Sequence, residues 1–577
     1  MARRKREPMS HVDHAWLMMD RPNNRMIING VLIFEEKIDF DRFRSVIEER
    51  LLQFDRFRMR VVEPRTALGR AYWEEDPFFD IRSHLHRIAL PDPGDQRALE
   101  ELVGNLISQP LDRSQALWEF YVVENYDGGS AVIGRFHHCI ADGIALVRIL
   151  LSLADTSPEG SGTEHPRRRR KGGWNPLRPI LRRAGRLVGT AMDLSGTLLS
   201  EGWEIVTNPA HLLELADKGS RLSLDSLDIM RKLLIAPPDN KTLFKGELGV
   251  AKRVAWATRI PLEDVKKVKN VMDATVNDVL MAAVTGALRR YLLDRGDDPT
   301  GKEIRAMIPV NLRPLTGPIE LGNRFALVNL TLPIGVEDPL DRLFEVKHNM
   351  DHIKRSPEPL ITYQLLNTLG LMPGDLASQL INFFASKASL VLTNVPGPQD
   401  SLYIAGSRLK KLIFWVPQSG SIGMGVSIFS YVGEITLGVL TDEKLVPDPE
   451  TIVDHFYTEF QELLYLAELP EIEETARARR RQVLARREAA PQEAPSPDGQ
   501  EIPVLEKEVL EEETPETQVD TVAMAEALLN QYMALKEDPE PWRCQAITKA
   551  GRRCKNRAMK GSRYCRVHQS EAETAEA

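Results

Sequence analysis

Two periodicities take turns along this chain. Apolar runs of strand length, Met26 to Phe34, Trp118 to Val123 and Ala131 to Phe136, are interleaved with stretches whose apolar residues return at helical spacing, Asp39 to Leu52, Asp95 to Gln109 and Gly143 to Leu153. The interleaving starts again after Lys245, with a helix from about Val276 to Leu293 and strands at Ile304 to Val310 and Phe325 to Pro333. Such alternation predicts layered α/β cores rather than a helical bundle. The uncharged stretch Leu412 to Gly433 is long enough on paper to cross a bilayer. Pro417, Gly420, Gly423 and Gly425 break it, so it reads as two buried strands, Lys411 to Trp415 and Gly425 to Tyr431, and no membrane span is expected.

These patterns divide the chain into a first α/β unit, 9–155, and a second, 245–475. A connecting region, 156–244, opens on the Gly/Ser/Pro-rich Thr156 to Pro166; a charged segment, 476–540, precedes a short cysteine-bearing module, 541–570. Within the charged segment, Glu488 to Val519 is rich in Pro and Glu and is expected to be disordered. The two α/β units are not sequence repeats of one another.

Composition narrows the class. At 577 residues and 42% hydrophobic, the chain can bury sizeable cores. Its four cysteines are Cys139 and three near the end, so the body is no disulfide scaffold, and a cytoplasmic location is expected. The basic Met1 to Pro8 segment lacks the apolar core of a secretion signal. Net charge is −8, yet Arg167 to Lys171 form a basic run. After it, Ile180, Leu181, Ala184, Leu187, Val188 and Ala191 would share one helical face opposite Arg178, Arg182, Arg183 and Arg186. That pattern suits an anionic membrane or lipid-inclusion surface, and equally an ordinary surface helix on a basic linker. Nucleic acid is the weakest reading, since no aromatics are interleaved.

The candidate chemistry sits in His137-His138-Cys139-Ile140-Ala141-Asp142-Gly143, on the turn between the Ala131 to Phe136 strand and the Gly143 to Leu153 helix. An alcohol is a poor nucleophile until its proton is removed, and a neutral imidazole is the side chain best matched to removing it near pH 7. Asp142 is expected to brace the turn, by pairing with an arginine or accepting backbone N–H groups, and Gly143 to let the chain turn sharply into the helix. The alternative is a pair of core histidines with satisfied ring nitrogens.

Around this string the sequence resembles the bacterial wax ester synthase/diacylglycerol acyltransferases. The likeness runs from Met9 to about Leu469 through ordered blocks: Ser10-His11-Val12-Asp13, Leu117-Trp118-Glu119, the histidine string, Asn277-Asp278, Pro309-Val310-Asn311-Leu312-Arg313, Gly322-Asn323 and Thr393 to Pro398. It departs at Ala116, where the family usually has proline, and does not extend into the tail. The resemblance implies two chloramphenicol-acetyltransferase-like halves with the active site in a tunnel between them. It also implies His138 as general base, His137 as its supporting neighbour, acyl-CoA as donor, and diacylglycerol or a long-chain alcohol as acceptor. Transfer would need no catalytic cofactor and no covalent acyl-enzyme, although Cys139 invites a rival thioester route. Asn277 is a candidate oxyanion donor, with helix capping by Thr275, Asn277 or Asp278 as the alternative. Asn311, Arg313 and Asn394 are expected to shape the tunnel or the CoA entrance. Lys410, Lys411, Arg313 and Arg324 are candidates for CoA phosphates, or plain surface charges.

Two other function classes stay open: a condensation enzyme using a carrier-bound donor or an amine acceptor, and a non-catalytic lipid-surface scaffold. The tail carries a separate signal, Cys544-x9-Cys554-x10-Cys565-x2-His568 among many Arg and Lys. A closed Cys3His set fits a structural tetrahedral zinc, against a reading as simple reduced cysteines, and its basic surface leaves lipid and nucleic acid undistinguished as partners.

Overall fold

The computed structural model describes residues 5–63, 71–160, 237–312 and 319–489, apart from some positions between 355 and 373. The basic segment 167–191, Arg313 and the four proposed zinc ligands fall outside them. Two six-stranded sheets dominate. The first runs β12 (Tyr403–Ile404), β13 (Ser407–Trp415), β2 (Ile27–Phe34), β7 (Gly129–His137), β6 (Trp118–Tyr126) and β5 (Leu85–Ile88). The second runs β10 (Phe325–Leu332), β9 (Ile304–Asn311), β11 (Leu390–Pro396), β14 (Met424–Tyr431), β15 (Glu434–Asp442) and β8 (Lys252–Pro261). A small sheet of β1 (Arg6–Pro8), β4 (Tyr72–Glu75) and β3 (Met59–Val62) flanks the first.

The uncharged stretch is strand, as its glycines predict: it supplies the end of β13 and all of β14. These two strands belong to different sheets. β13 leaves the second half of the chain and pairs antiparallel with β2, from Leu409 opposite Phe34 to Trp415 opposite Asn29, so the first sheet is completed from the second half. Among the described residues no single helix is long and apolar enough to cross a membrane.

β7 lies between β2 and β6 and is buried along almost its whole length, which is why it reads as a continuous apolar run rather than an alternating one. One face of its sheet carries the helix Gly143–Leu153 and the helix His11–Met19; the other carries the helix Gln96–Ile107, which also packs on β8. Gly104 permits that contact, because a Cβ there would stand 2.7 Å from the Lys252 carbonyl oxygen. In the second half, the helices Val276–Asp294, Pro339–Lys354 and Pro449–Glu468 cover the outer face of the second sheet and close its core.

Candidate active site

The end of β7 aims the histidine turn at the seam between the two sheets. The His137 backbone N–H donates to the Leu117 carbonyl (3.0 Å) and that of His138 to the Met26 carbonyl (2.7 Å), which locks the turn to both neighbouring strands. Asp142 then caps the helix Gly143–Leu153: its Oδ1 accepts from the Ala145 N–H at 2.9 Å. Its Oδ2 accepts from the Arg324 N–H at 3.0 Å, and its own N–H donates to the Gly322 carbonyl at 3.3 Å. Of the two braces expected for Asp142, the structure shows backbone N–H acceptance, drawn partly from a loop nearly 200 residues away.

A second carboxylate beside the turn pairs with an arginine. Asp13, fully buried on the helix His11–Met19, accepts from Arg56 Nη1 at 3.1 Å, and the same nitrogen reaches the Ile140 carbonyl at 3.1 Å. Asn323 closes the network, its Nδ2 donating to Asp13 Oδ1 (2.8 Å) and to the His138 carbonyl (2.7 Å). Burial pushes the Asp13 carboxyl up, against the Arg56 charge and the Asn323 amide. None of Asp13, Arg56, Asn323 or Trp16 follows from local sequence reasoning as a site residue. Asp13 and Asn323 sit in two of the ordered blocks, a signal that marked them without assigning a role; Arg56 and Trp16 carried none.

The two histidines occupy different surroundings. His137 is fully enclosed, and its Nδ1 accepts from the Cys139 N–H at 3.2 Å. His138 lines a chamber between the halves; Trp16 stacks on its ring with centroids 4.1 Å apart at 15°, and Phe325 lies at 5.5 Å. Burial pulls His137 down to about 3 and His138 to about 4, the latter opposed by the Asp142 charge. Both rings are therefore neutral near pH 7. Cys139 is fully enclosed and does not line the chamber, and burial holds its thiol well above the usual range.

Across the chamber stand Asn277, Asn311 and Asn394. The helix Val276–Asp294 is capped by a reciprocal pair, Thr275 and Asp278, so that part of the capping alternative holds for these two residues and leaves the Asn277 side chain out. Asn277 Oδ1 instead accepts from Asn394 Nδ2 at 2.5 Å, which leaves the Asn277 NH2 as its remaining donor end. The rest of the lining is mostly apolar, including Met281, Ile308 and Leu392. Lys410 and Lys411 lie in a separate cleft with Tyr126 and Arg408, so they are not brought to the chamber. The Arg324 guanidinium stands 3.9 Å from Glu320.

Gly143 corrects one expectation. Its φ is outside the left-handed region and a Cβ there would meet no atom within 4 Å, so no sharp turn requires glycine. What the missing side chain leaves open is the space in front of the helix.

Residues 9–280 match the family described as the wax ester synthase/diacylglycerol acyltransferase catalytic domain, and residues 321–464 match its C-terminal domain. A putative diacylglycerol O-acyltransferase of Mycobacterium tuberculosis is 29% identical over 477 residues, covering 79% of this chain and 90% of that protein. A probable diacylglycerol O-acyltransferase of the same organism is 29% identical over 419 residues, covering 71% and 85%. In structure the chain is similar to a wax ester synthase/diacylglycerol acyltransferase from Marinobacter aquaeolei VT8, with TM-score 0.56 and 21% identity over 80% of this chain and 100% of that one. It is also similar to the first condensation domain of the calcium-dependent antibiotic synthetase, with TM-score 0.53 and 13% identity over 82% and 99%. Both likenesses bear on the fold, a mixed α/β architecture of two halves. Since the matched regions take in the histidine turn, its brace at Asn323, and Asn277 and Asn394 in the chamber lining, the chain belongs to the wax ester synthase/diacylglycerol acyltransferase family of acyltransferases.

Proposed function

We propose that this protein transfers a long-chain acyl group from acyl-CoA to the hydroxyl of diacylglycerol, a long-chain alcohol, or both. The observation that carries this reading is the buried His138 ring at the wall of an apolar chamber that the hydrogen-bonded amides of Asn277 and Asn394 also line. Nδ1 of His138 is shut away from solvent, so Nε2 takes the acceptor's hydroxyl proton as the oxygen attacks the thioester carbonyl. The Asn277 NH2 donates to the oxyanion that develops. Collapse of the tetrahedral intermediate expels the CoA thiolate, the imidazolium returns the proton to it, and the histidine is restored. Cys139, protonated and away from the chamber, takes no part, and His137 holds the turn. Asn311 and Asn394, with Arg313 two residues after Asn311 in sequence, shape the tunnel or the CoA entrance.

The catalytic steps use no metal. In the tail, Cys544, Cys554, Cys565 and His568 are proposed to hold a structural zinc, and the basic segment 167–191 to place the enzyme at the inner membrane face or on lipid inclusions. Both features lie outside the described residues. The condensation-type alternative ranks lower, because its support is a shared fold while the family match spans both halves.

The test is an assay of wild type and His138→Ala with palmitoyl-CoA, offered dioleoylglycerol or hexadecanol, following CoA release and lipid product. Ester from the wild type alone is the expected result, and the product ratio names the preferred acceptor. No CoA release from wild type with either acceptor would overturn the reading.

A further inference from the structure

A histidine that takes a proton inside an apolar chamber carries a full charge there, and a buried charge must be offset. Where a carboxylate does this, it bonds to the far ring nitrogen. Here Nδ1 of His138 is buried with no hydrogen-bond partner among the described residues. Asp142 has its two oxygens on the Ala145 and Arg324 N–H groups, and Asp13 is paired with Arg56 on the far side of Asn323. What lies flat against the His138 ring is an indole.

Trp16 is 4% exposed, and its ring is stacked on His138 with centroids 4.1 Å apart at 15°. Phe325 stacks on Trp16 in turn, at 5.7 Å and 29°, and lies 5.5 Å from His138. The stack is held from the backbone. Asp13 stands one turn before Trp16 on the helix His11–Met19, and the Asn323 amide joins the Asp13 carboxylate to the His138 carbonyl. One side chain therefore fixes both the helix that carries the indole and the turn that carries the imidazole.

Tryptophan is an expensive choice for mere filling. Its Nε1–H is buried with no partner among the described residues, and a leucine or phenylalanine would leave no such donor unpaired. What tryptophan adds is the most negative ring face of any side chain, which attracts a cation, most strongly where water is excluded. A neutral imidazole gains only packing from that face, while an imidazolium gains packing and charge. The contact therefore strengthens as the proton moves, which is the condition for lowering a barrier.

We infer that Trp16 stabilises the imidazolium that forms on His138 during transfer, in place of a carboxylate hydrogen-bonded to the ring. Trp16 is a positioning residue, acting through His138. The inference rests on the proposed function for the step in which that proton is taken.

The experiment replaces Trp16 site-specifically with tryptophans bearing one, two and four ring fluorines, which keep the shape and drain charge from the face. Trp16→Phe and Trp16→Leu are made alongside. Each protein is assayed for kcat and KM with palmitoyl-CoA and either hexadecanol or dioleoylglycerol, and the protonation of His138 is followed by NMR of histidine-labelled enzyme. Across the fluorinated series kcat is expected to fall stepwise, by about tenfold at four fluorines, with KM within about twofold and the melting temperature unchanged. Trp16→Phe should fall inside that range and Trp16→Leu at or below its lower end, and the His138 midpoint should drop in the same order. A flat fluorinated series, or losses confined to KM, would overturn the inference whether or not Trp16→Leu folds. If wild type turns over neither acceptor, the proposed function falls and the NMR midpoint decides alone: a drop with fluorination upholds the stack's role, and a constant midpoint removes it.

Discussion

Two walls face each other across the chamber, built on opposite plans. On the histidine side the turn is tied at each step, to Met26, Leu117, Asn323, Arg56 and the 322–324 loop, by groups that would not touch a substrate. On the other side two amides bond to each other among apolar residues, and in the proposed reaction the donor end of Asn277 serves the charge that arrives only during reaction. A base must be in place before the substrate arrives, whereas an oxyanion donor has nothing to hold until the carbonyl changes geometry. Rigidity is therefore concentrated on one wall and hydrogen-bonding capacity reserved on the other.

The hardest blow to this contrast is His138→Ala, which should lower kcat/KM by about 10³-fold or more while the melting curve stays in place. Asn277→Ala probes the other wall: kcat should fall about 100-fold with KM little changed, and stability should hold because Thr275 and Asp278 still cap the helix. Equal losses in KM would mean that the amide binds ground-state substrate. Asp142→Ala should separate support from chemistry, costing about 2 kcal/mol in urea unfolding along with roughly tenfold in activity. A variant that loses activity with no loss of stability would instead place Asp142 on the reacting groups.

The pH profile sharpens the same distinction. A base whose folded value lies near 4 rather than 6.5 stays neutral as pH falls, so kcat/KM should remain level from pH 8 to below 6 and decline only toward pH 4. An acidic limb centred near 6.5 would mean that the His138 ring is solvated during turnover. The smallest effect belongs to Cys139→Ser, expected to change turnover by less than about threefold because a thiol buried in its protonated form is no nucleophile.

What could be read in advance was whatever is local. The strand before His137, the helix after Asp142 and the turn between them follow from a few consecutive residues, and their periodicity was enough to place them. The brace was out of reach for the opposite reason. Asp13, Arg56 and Asn323 converge on the turn from three distant segments, and no local pattern records that convergence. Trp16 reads as one more apolar residue on a helix face until His138 is set against it. β13 shows a further limit: alternation identifies a strand but not which sheet it will join. Glycine after aspartate is a turn signal, but at Gly143 the backbone is ordinary and a Cβ would meet no atom within 4 Å, so the local signal misleads.

The placement of β13 also bears on how the molecule is made. On a ribosome the first half is synthesised well before the strand that completes its sheet, and at ordinary elongation rates roughly 15 to 60 seconds separate His138 from Trp415. Through that interval β2 has an unpaired edge, and for about the first two-thirds of it the histidine turn lacks Asn323. A nascent chain of this protein thus has neither a finished sheet nor a fixed base until the second half has largely emerged, which makes the open β2 edge the place where a chaperone, or a mispaired neighbour, would first attach.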